Sequence, residues 1–215
     1  MKTIARSKCG VGHAENQDHY CVAPNENGIV LGVADGIGSH TFGGSVAKWF
    51  CDNFSSFACD TTKPLVELLQ DLRIKMVSEF DDFQDLLESG ASISCAVVSN
   101  NTADCAWAGD SPMFHVSATT KSAKMLSPLH ANANGALTNY FMGNFEFHPS
   151  SVQLELEAGD LLIICSDGAN LTVETATELL ASADLENSIE QILEVALKSN
   201  LGDDATIVAY RHSVG

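Results

Sequence analysis

Short apolar runs that stop at an aspartate constrain this chain more than any other feature of its sequence. Residues 29–34 lead into Asp35-Gly36, residues 161–166 into Asp167-Gly168, and residues 103–109 into Asp110. Asp203-Asp204 immediately precede the apolar run 205–211. Runs of this length, bounded by turn residues, are strand-sized. Each carboxylate is therefore placed at the mouth of a buried strand, where an isolated charge is costly unless it is paired or binds a cation. Lys and Arg number 11 against 28 Asp and Glu, a formal charge of −17, so ion pairs are a scarce remedy. A divalent cation is the natural one, and all-oxygen ligation suits Mg²⁺ or Mn²⁺ rather than zinc. Glycine after an aspartate lets the backbone carbonyl come close to such an ion. Taken singly, each Asp-Gly also reads as a turn; it is the recurrence of one context that points to a shared site.

The rest of the chain supplies strands in groups rather than in alternation with helices. Residues 92–99 and 102–108 flank Asn100-Asn101 as a hairpin, and 112–117 and 123–126 flank Thr119-Thr120 as another. Val152, Leu154 and Leu156 alternate with polar residues, as in a half-buried strand. Helices are expected over 45–57 after Gly43-Gly44, over 173–183, and along Leu185, Ile189, Ile192, Leu193, Ala196 and Leu197. A further helix is expected after Thr61-Thr62, with Pro64 in its first turn and Leu65, Leu68, Leu69, Leu72, Met76, Phe83 and Leu87 on one face, ending near Ser89-Gly90. Grouped strands with flanking helices argue for an α+β fold, antiparallel sheets covered by helices, in one domain over residues 1–215. Trp49, Trp107 and the 10 Phe residues read as core.

The charge also excludes partners. A nonspecific nucleic-acid binder or a protein of anionic membrane surfaces needs the basic residues this chain lacks. No stretch approaches the roughly 18 apolar residues of a membrane span, and residues 1–8 lack the apolar core of a signal peptide. The 7 cysteines are odd in number, scattered and without a CxxC pair, which reads as reduced thiols rather than a zinc site or disulfide framework. A cytoplasmic protein is expected.

Five segments then occur in one order. They are Gly12-His13-Ala14-Glu15-Asn16-Gln17-Asp18; Val33-Ala34-Asp35-Gly36-Ile37-Gly38-Ser39-His40; Ala108-Gly109-Asp110-Ser111; Gly159-Asp160 with the run to Ser166-Asp167-Gly168; and Asp203-Asp204-Ala205-Thr206. Leu137-Thr138 with Met142-Gly143 is a weaker sixth. Together they resemble the metal-dependent, type 2C family of serine/threonine protein phosphatases, in its compact bacterial form. The resemblance implies a sandwich of two antiparallel β-sheets flanked by helices, with metals at one end. It implies that Asp35 bridges two Mg²⁺ or Mn²⁺ ions, that the Gly36 carbonyl and Asp18 serve the second, and that Asp167 and Asp203 hold the first. Asp203 is preferred to Asp204 by register, and Asp110 joins Asp167 at a possible third ion. The implied activity is hydrolysis of phosphoserine and phosphothreonine in proteins by a metal-activated water, opposing a protein kinase in bacterial signalling.

The chain departs from the family in three places. The Arg that clamps substrate phosphate is replaced by His13, a weaker partner than a bidentate guanidinium; Arg6, from the first strand, is the alternative cation. Leu171 stands where the family often has another acid. Residues 127–135 form a short flap, which implies an open site. His40 is a candidate proton donor to the leaving group, while His115, His148 and His212 receive no role. Two rival readings follow: a phosphatase-fold domain that acts by binding a partner, and a two-metal hydrolase of nucleotides or sugar phosphates.

Overall fold

The strand-sized runs pair into two antiparallel sheets. The computed structural model describes residues 2–26, 28–59, 63–144, 146–199 and 202–213. One sheet has the order β1 (Lys2–Lys8), β11 (Ala205–Arg211), β10 (Leu161–Cys165), β6 (Met113–Ser117) and β7 (Ser122–Met125). The other runs β2 (Asp18–Asn25), β3 (Gly28–Gly36), β4 (Gly90–Ser99), β5 (Thr102–Ala108) and β9 (Ser150–Glu155), with β8 (Phe141–Met142) added to β4.

Side-chain alternation explains why the central strands read as unbroken apolar runs. In β3, Leu31 and Val33 pack between the sheets while Val30 and Ala34 face helices. In β10, Leu162 and Ile164 point to the facing sheet, and Leu161, Ile163 and Cys165 to helices. In β11, Val208 and Tyr210 point inward, and Ala205, Ile207 and Ala209 outward. The central strands are covered on both faces, so neither face needs to be polar.

Helix α1 (Gly43–Cys59) turns Val46, Ala47, Phe50, Cys51, Phe54 and Ala58 inward at helical spacing. The rings of Phe50 and Phe54 stack at 5.3 Å. Beside it lie α2 (Leu65–Glu79) and the short α3 (Gln84–Leu87). The long helix expected here is thus interrupted at Phe80, and Phe83 is 43% exposed rather than core. Apolar periodicity runs across the break, but Asp81 and Asp82 sit in a turn between the helices. Thr61 and Thr62 lie outside the described residues. On the other sheet, α4 (Val173–Ala181) starts in a capping box of Thr172 and Thr175, and α5 (Leu185–Ser199) buries Leu185, Ile189, Leu193 and Ala196.

No helix among the described residues is long and apolar enough to cross a membrane. The cysteines form no disulfide among the described residues: Cys9 is exposed, Cys59 partly so, and the other five are buried. Burial pushes the thiols of Cys95 and Cys105 up, the latter to about 12, which makes thiolate chemistry there unfavourable.

Candidate active site

The antiparallel registers carry the aspartates to one end of the sandwich. Asp18 opens β2 directly opposite Asp35 near the end of β3, and Asp35 is opposite Ser92 on β4. Directly paired residues share a face. That face is the inner one, because Asp35 continues the alternation of Leu31 and Val33. Asp167 begins a 3₁₀ turn at the end of β10, and Asp203 precedes β11. Gly109 carries the chain from β5 to Asp110.

Asp35, Asp110, Asp167 and Asp203, together with Gly36, Gly38, Ser92 and Leu137, line a cavity of about 150 Å³. At ~30 Å³ per water, that is room for roughly five waters. Gly36 is needed for packing: a Cβ there would lie 2.5 Å from the backbone of Gly43 and Gly44, where α1 begins. Asp18, the strand partner of Asp35, is outside the cavity lining and is 3% exposed. Its Oδ2 accepts a hydrogen bond from Ser166 Oγ at 2.7 Å, and its Oδ1 is buried with no partner.

Ionising these groups together is unfavourable. Burial, with the charges of Asp18, Asp167 and Asp110, raises the Asp35 carboxyl well above the usual range. Burial raises Asp18 to about 7, although the Ser166 and Thr206 hydroxyls pull it back. Burial and the Asp167 charge raise both Asp110 and Asp203. Among the described residues no Lys or Arg lines the cavity. An all-oxygen, anionic donor set with an orphaned buried oxygen fits hard divalent cations. Among the described residues no three His, Cys, Asp or Glu side chains close a ready-made cage around one point; the carboxylates ring a shared space instead.

Asp204, adjacent to Asp203, does different work. Its Oδ1 accepts the N–H of Gly10 and its Oδ2 that of Gln17, both at 2.7 Å. Its Oδ1 also lies 3.2 Å from His13 Nδ1. Asp204 ties the segment before β2 to β11, while Asp203 reaches the cavity.

The structure does not bring every candidate together. His13 lines a neighbouring cavity of about 380 Å³ with Ala14, Glu15, Gln17 and Gly38, and Gly38 is common to both cavities. His40 is not in the wall of the carboxylate cavity; its Nδ1 is buried without a partner and its ring lies 6.0 Å from Tyr140. Arg6 is not a substitute cation for the site, because it pairs with Glu186 and Glu190 on α5. Leu171 packs into the helix-side core. His115, given no role from sequence, lies in β6 and bonds Asp160, just before β10, at 2.8 Å. Residues missed by sequence reasoning include Ser92, whose Oγ accepts the N–H groups of Asp110 and Ser111 at 3.0 and 2.9 Å, and Ser166. A serine in an apolar strand gives no signal until its strand partner is known.

The fold has counterparts among known proteins. A protein of Mycobacterium tuberculosis, serine/threonine protein phosphatase PstP, is 23% identical over an alignment covering 97% of this chain. The chain spans 44% of the length of that relative. Among solved structures, serine/threonine phosphatase Stp1 from Staphylococcus aureus superposes with a TM-score of 0.85 at 16% identity, covering 99% of this chain and 95% of that one. The catalytic domain of PstP in complex with 2 manganese ions superposes with a TM-score of 0.81 at 21% identity, covering 97% and 96%. The family model of protein phosphatase 2C matches residues 8–205, nearly the whole chain, and with the ordered aspartate motifs inside that span the chain belongs to the protein phosphatase 2C family.

Proposed function

We propose that residues 1–215 form one catalytic domain that hydrolyses phosphoserine and phosphothreonine in proteins, with Mg²⁺ or Mn²⁺ as cofactor. The observation that carries this reading is the cavity with four aspartates and no basic side chain in its wall. A phosphate dianion would be repelled from it unless cations intervened. The manganese ions in the PstP catalytic domain support the choice of metal.

When bound, divalent cations in such a site lower the pKa of water toward neutrality and offset charge on the phosphoryl oxygens. The chain's own part is to hold them and to place substrate. Asp35, which feels the charges of Asp18, Asp167 and Asp110, would be shared by two ions; Asp18 and the Gly36 carbonyl would serve one of them, Asp167 and Asp203 the other, and Asp110 with Asp167 a third. Ser166 fixes the Asp18 carboxylate, and Ser92 fixes the backbone at Asp110. His13, held by Asp204 beside the neighbouring cavity, is the proposed phosphate contact. His40, two residues beyond Gly38 of the cavity wall, is the proposed proton donor to the leaving oxygen. In a cell the protein would oppose a protein kinase in a bacterial cytoplasm.

One feature favours a second reading, partner binding with weak or no catalysis: His13 stands where the family carries its phosphate-clamping Arg. The test is hydrolysis of p-nitrophenyl phosphate and of a phosphothreonine peptide, with Mn²⁺ or with chelator, by the wild type and Asp35→Asn. Mn²⁺-dependent turnover of both substrates, lost in the variant, is expected. Metal-loaded protein without turnover would refute the enzyme reading. Turnover of small esters or nucleotides but not of the peptide would refute the substrate class.

A further inference from the structure

The imidazole of His130 has specific surroundings that the site described above does not use. It stands at the base of the 127–139 loop, half-buried, its ring stacked on Trp107 with 6.1 Å between centroids. The backbone N–H of Gly109 points at Nδ1 from 3.3 Å, and Asn139 Nδ2 points at the same nitrogen from 3.1 Å. The Asn139 amide is oriented from its other side, where Oδ1 accepts the N–H of His148. With both donors aimed at it, Nδ1 carries a lone pair. The proton is therefore on Nε2, which donates to Ser150 Oγ at 3.0 Å. The backbone adds His130 N–H to the Gly109 carbonyl at 2.9 Å and Thr138 N–H to the His130 carbonyl at 2.8 Å.

These bonds join two segments that line the cavity. Gly109 precedes Asp110 and Thr138 follows Leu137, and both Asp110 and Leu137 line the cavity. Gly109 has φ +125°, and a Cβ there would lie 2.2 Å from Ser92 Oγ. The turn thus requires glycine, which offers no side chain by which its neighbours could hold it. An acceptor from the loop holds its N–H instead. Trp107 Nε1, donating to the Pro128 carbonyl at 2.9 Å, pins the entry to the same loop.

We propose that His130 is a positioning residue that clamps the 127–139 loop onto the Gly109–Asp110 turn and so fixes Asp110 and Leu137 in the lining of the cavity. The kinetic consequence rests on the proposed phosphatase activity; the structural coupling does not. The test compares wild type, His130→Ala and His130→Asn, the last of which keeps an acceptor oxygen where Nδ1 stood. Backbone hydrogen exchange is read together with p-nitrophenyl phosphate kinetics at saturating Mn²⁺. In His130→Ala, amides of 109–111 and 130–139 should exchange faster together, by about tenfold or more, while those of β3, β10 and β11 keep wild-type rates. kcat should fall by about 10- to 100-fold with KM changed less than about twofold, and His130→Asn should recover most of both effects. Wild-type exchange at 109–111 in His130→Ala, equal losses in both variants, or loosening of the whole sandwich would each overturn the proposal. A wild type without turnover would instead refute the phosphatase reading, and the exchange comparison would still decide the coupling.

Discussion

Replacing Asp18 with Asn should stabilise the metal-free protein and weaken its response to metal. The Asp18 carboxyl is raised from 3.8 to about 7 by burial. A carboxyl raised in the fold keeps its proton longer there than in the unfolded chain, so stability falls as pH rises. The penalty is absent below about pH 4 and fully developed above about pH 7. From 3.8 to about 7, at about 1.4 kcal/mol per pH unit, its upper limit is about 4 kcal/mol. Roughly 3 kcal/mol of that develops between about pH 5 and pH 8. Asp35, Asp110 and Asp203 are raised too and steepen the same slope. Asparagine is neutral and keeps an oxygen for the Ser166 hydroxyl. Urea unfolding in chelator should therefore show the wild type weakening from pH 5 to 8, and Asp18→Asn flatter and more stable at pH 8. Adding Mn²⁺ at a hundredfold excess over Kd should contribute about 2.7 kcal/mol per site to the wild type and less to the variant. Chelated wild type with level stability across this pH range, or a variant weaker than wild type at pH 8, would refute the reasoning.

Three further outcomes follow from the same geometry. Asp35→Asn should reduce Mn²⁺-dependent turnover by about 100-fold or more while the fold persists by circular dichroism, since its carboxylate lines the cavity within reach of the charges of Asp18, Asp167 and Asp110. His13→Arg should lower KM for phosphate esters several-fold with little change in kcat, because a guanidinium binds phosphate in bidentate fashion; an unchanged KM would remove position 13 from the substrate path. Phe50→Ala, in a core position with 0% exposure against Phe54 and Phe141, should cost about 3–5 kcal/mol in urea unfolding.

Much of the site was legible because its parts are local. A strand-sized apolar run ending in Asp-Gly reports both the strand and the charge at its mouth for Asp35 and Asp167, while Asp110 after residues 103–109 and the pair Asp203-Asp204 before residues 205–211 share the strand-end context without that glycine. The choice between Asp203 and Asp204 has a physical basis only in three dimensions, where the N–H groups of Gly10 and Gln17 occupy Asp204. Strand β2 gives a poor signal, since it begins with a buried Asp, contains Pro24 and lies at a sheet edge. The break at Phe80 is invisible to periodicity because Leu86 and Leu87 resume the buried face beyond it. His130 carries no sequence signal, for its partners come from positions 109, 139 and 150.

Crystals soaked in Mn²⁺ and measured at the manganese absorption edge bear most directly on the carboxylate cavity. Anomalous peaks for at least two ions should appear between Asp35, Asp167 and Asp203, with an Asp35 oxygen within about 2.3 Å of both. Saturated crystals with no peak inside that ring of aspartates would contradict the account.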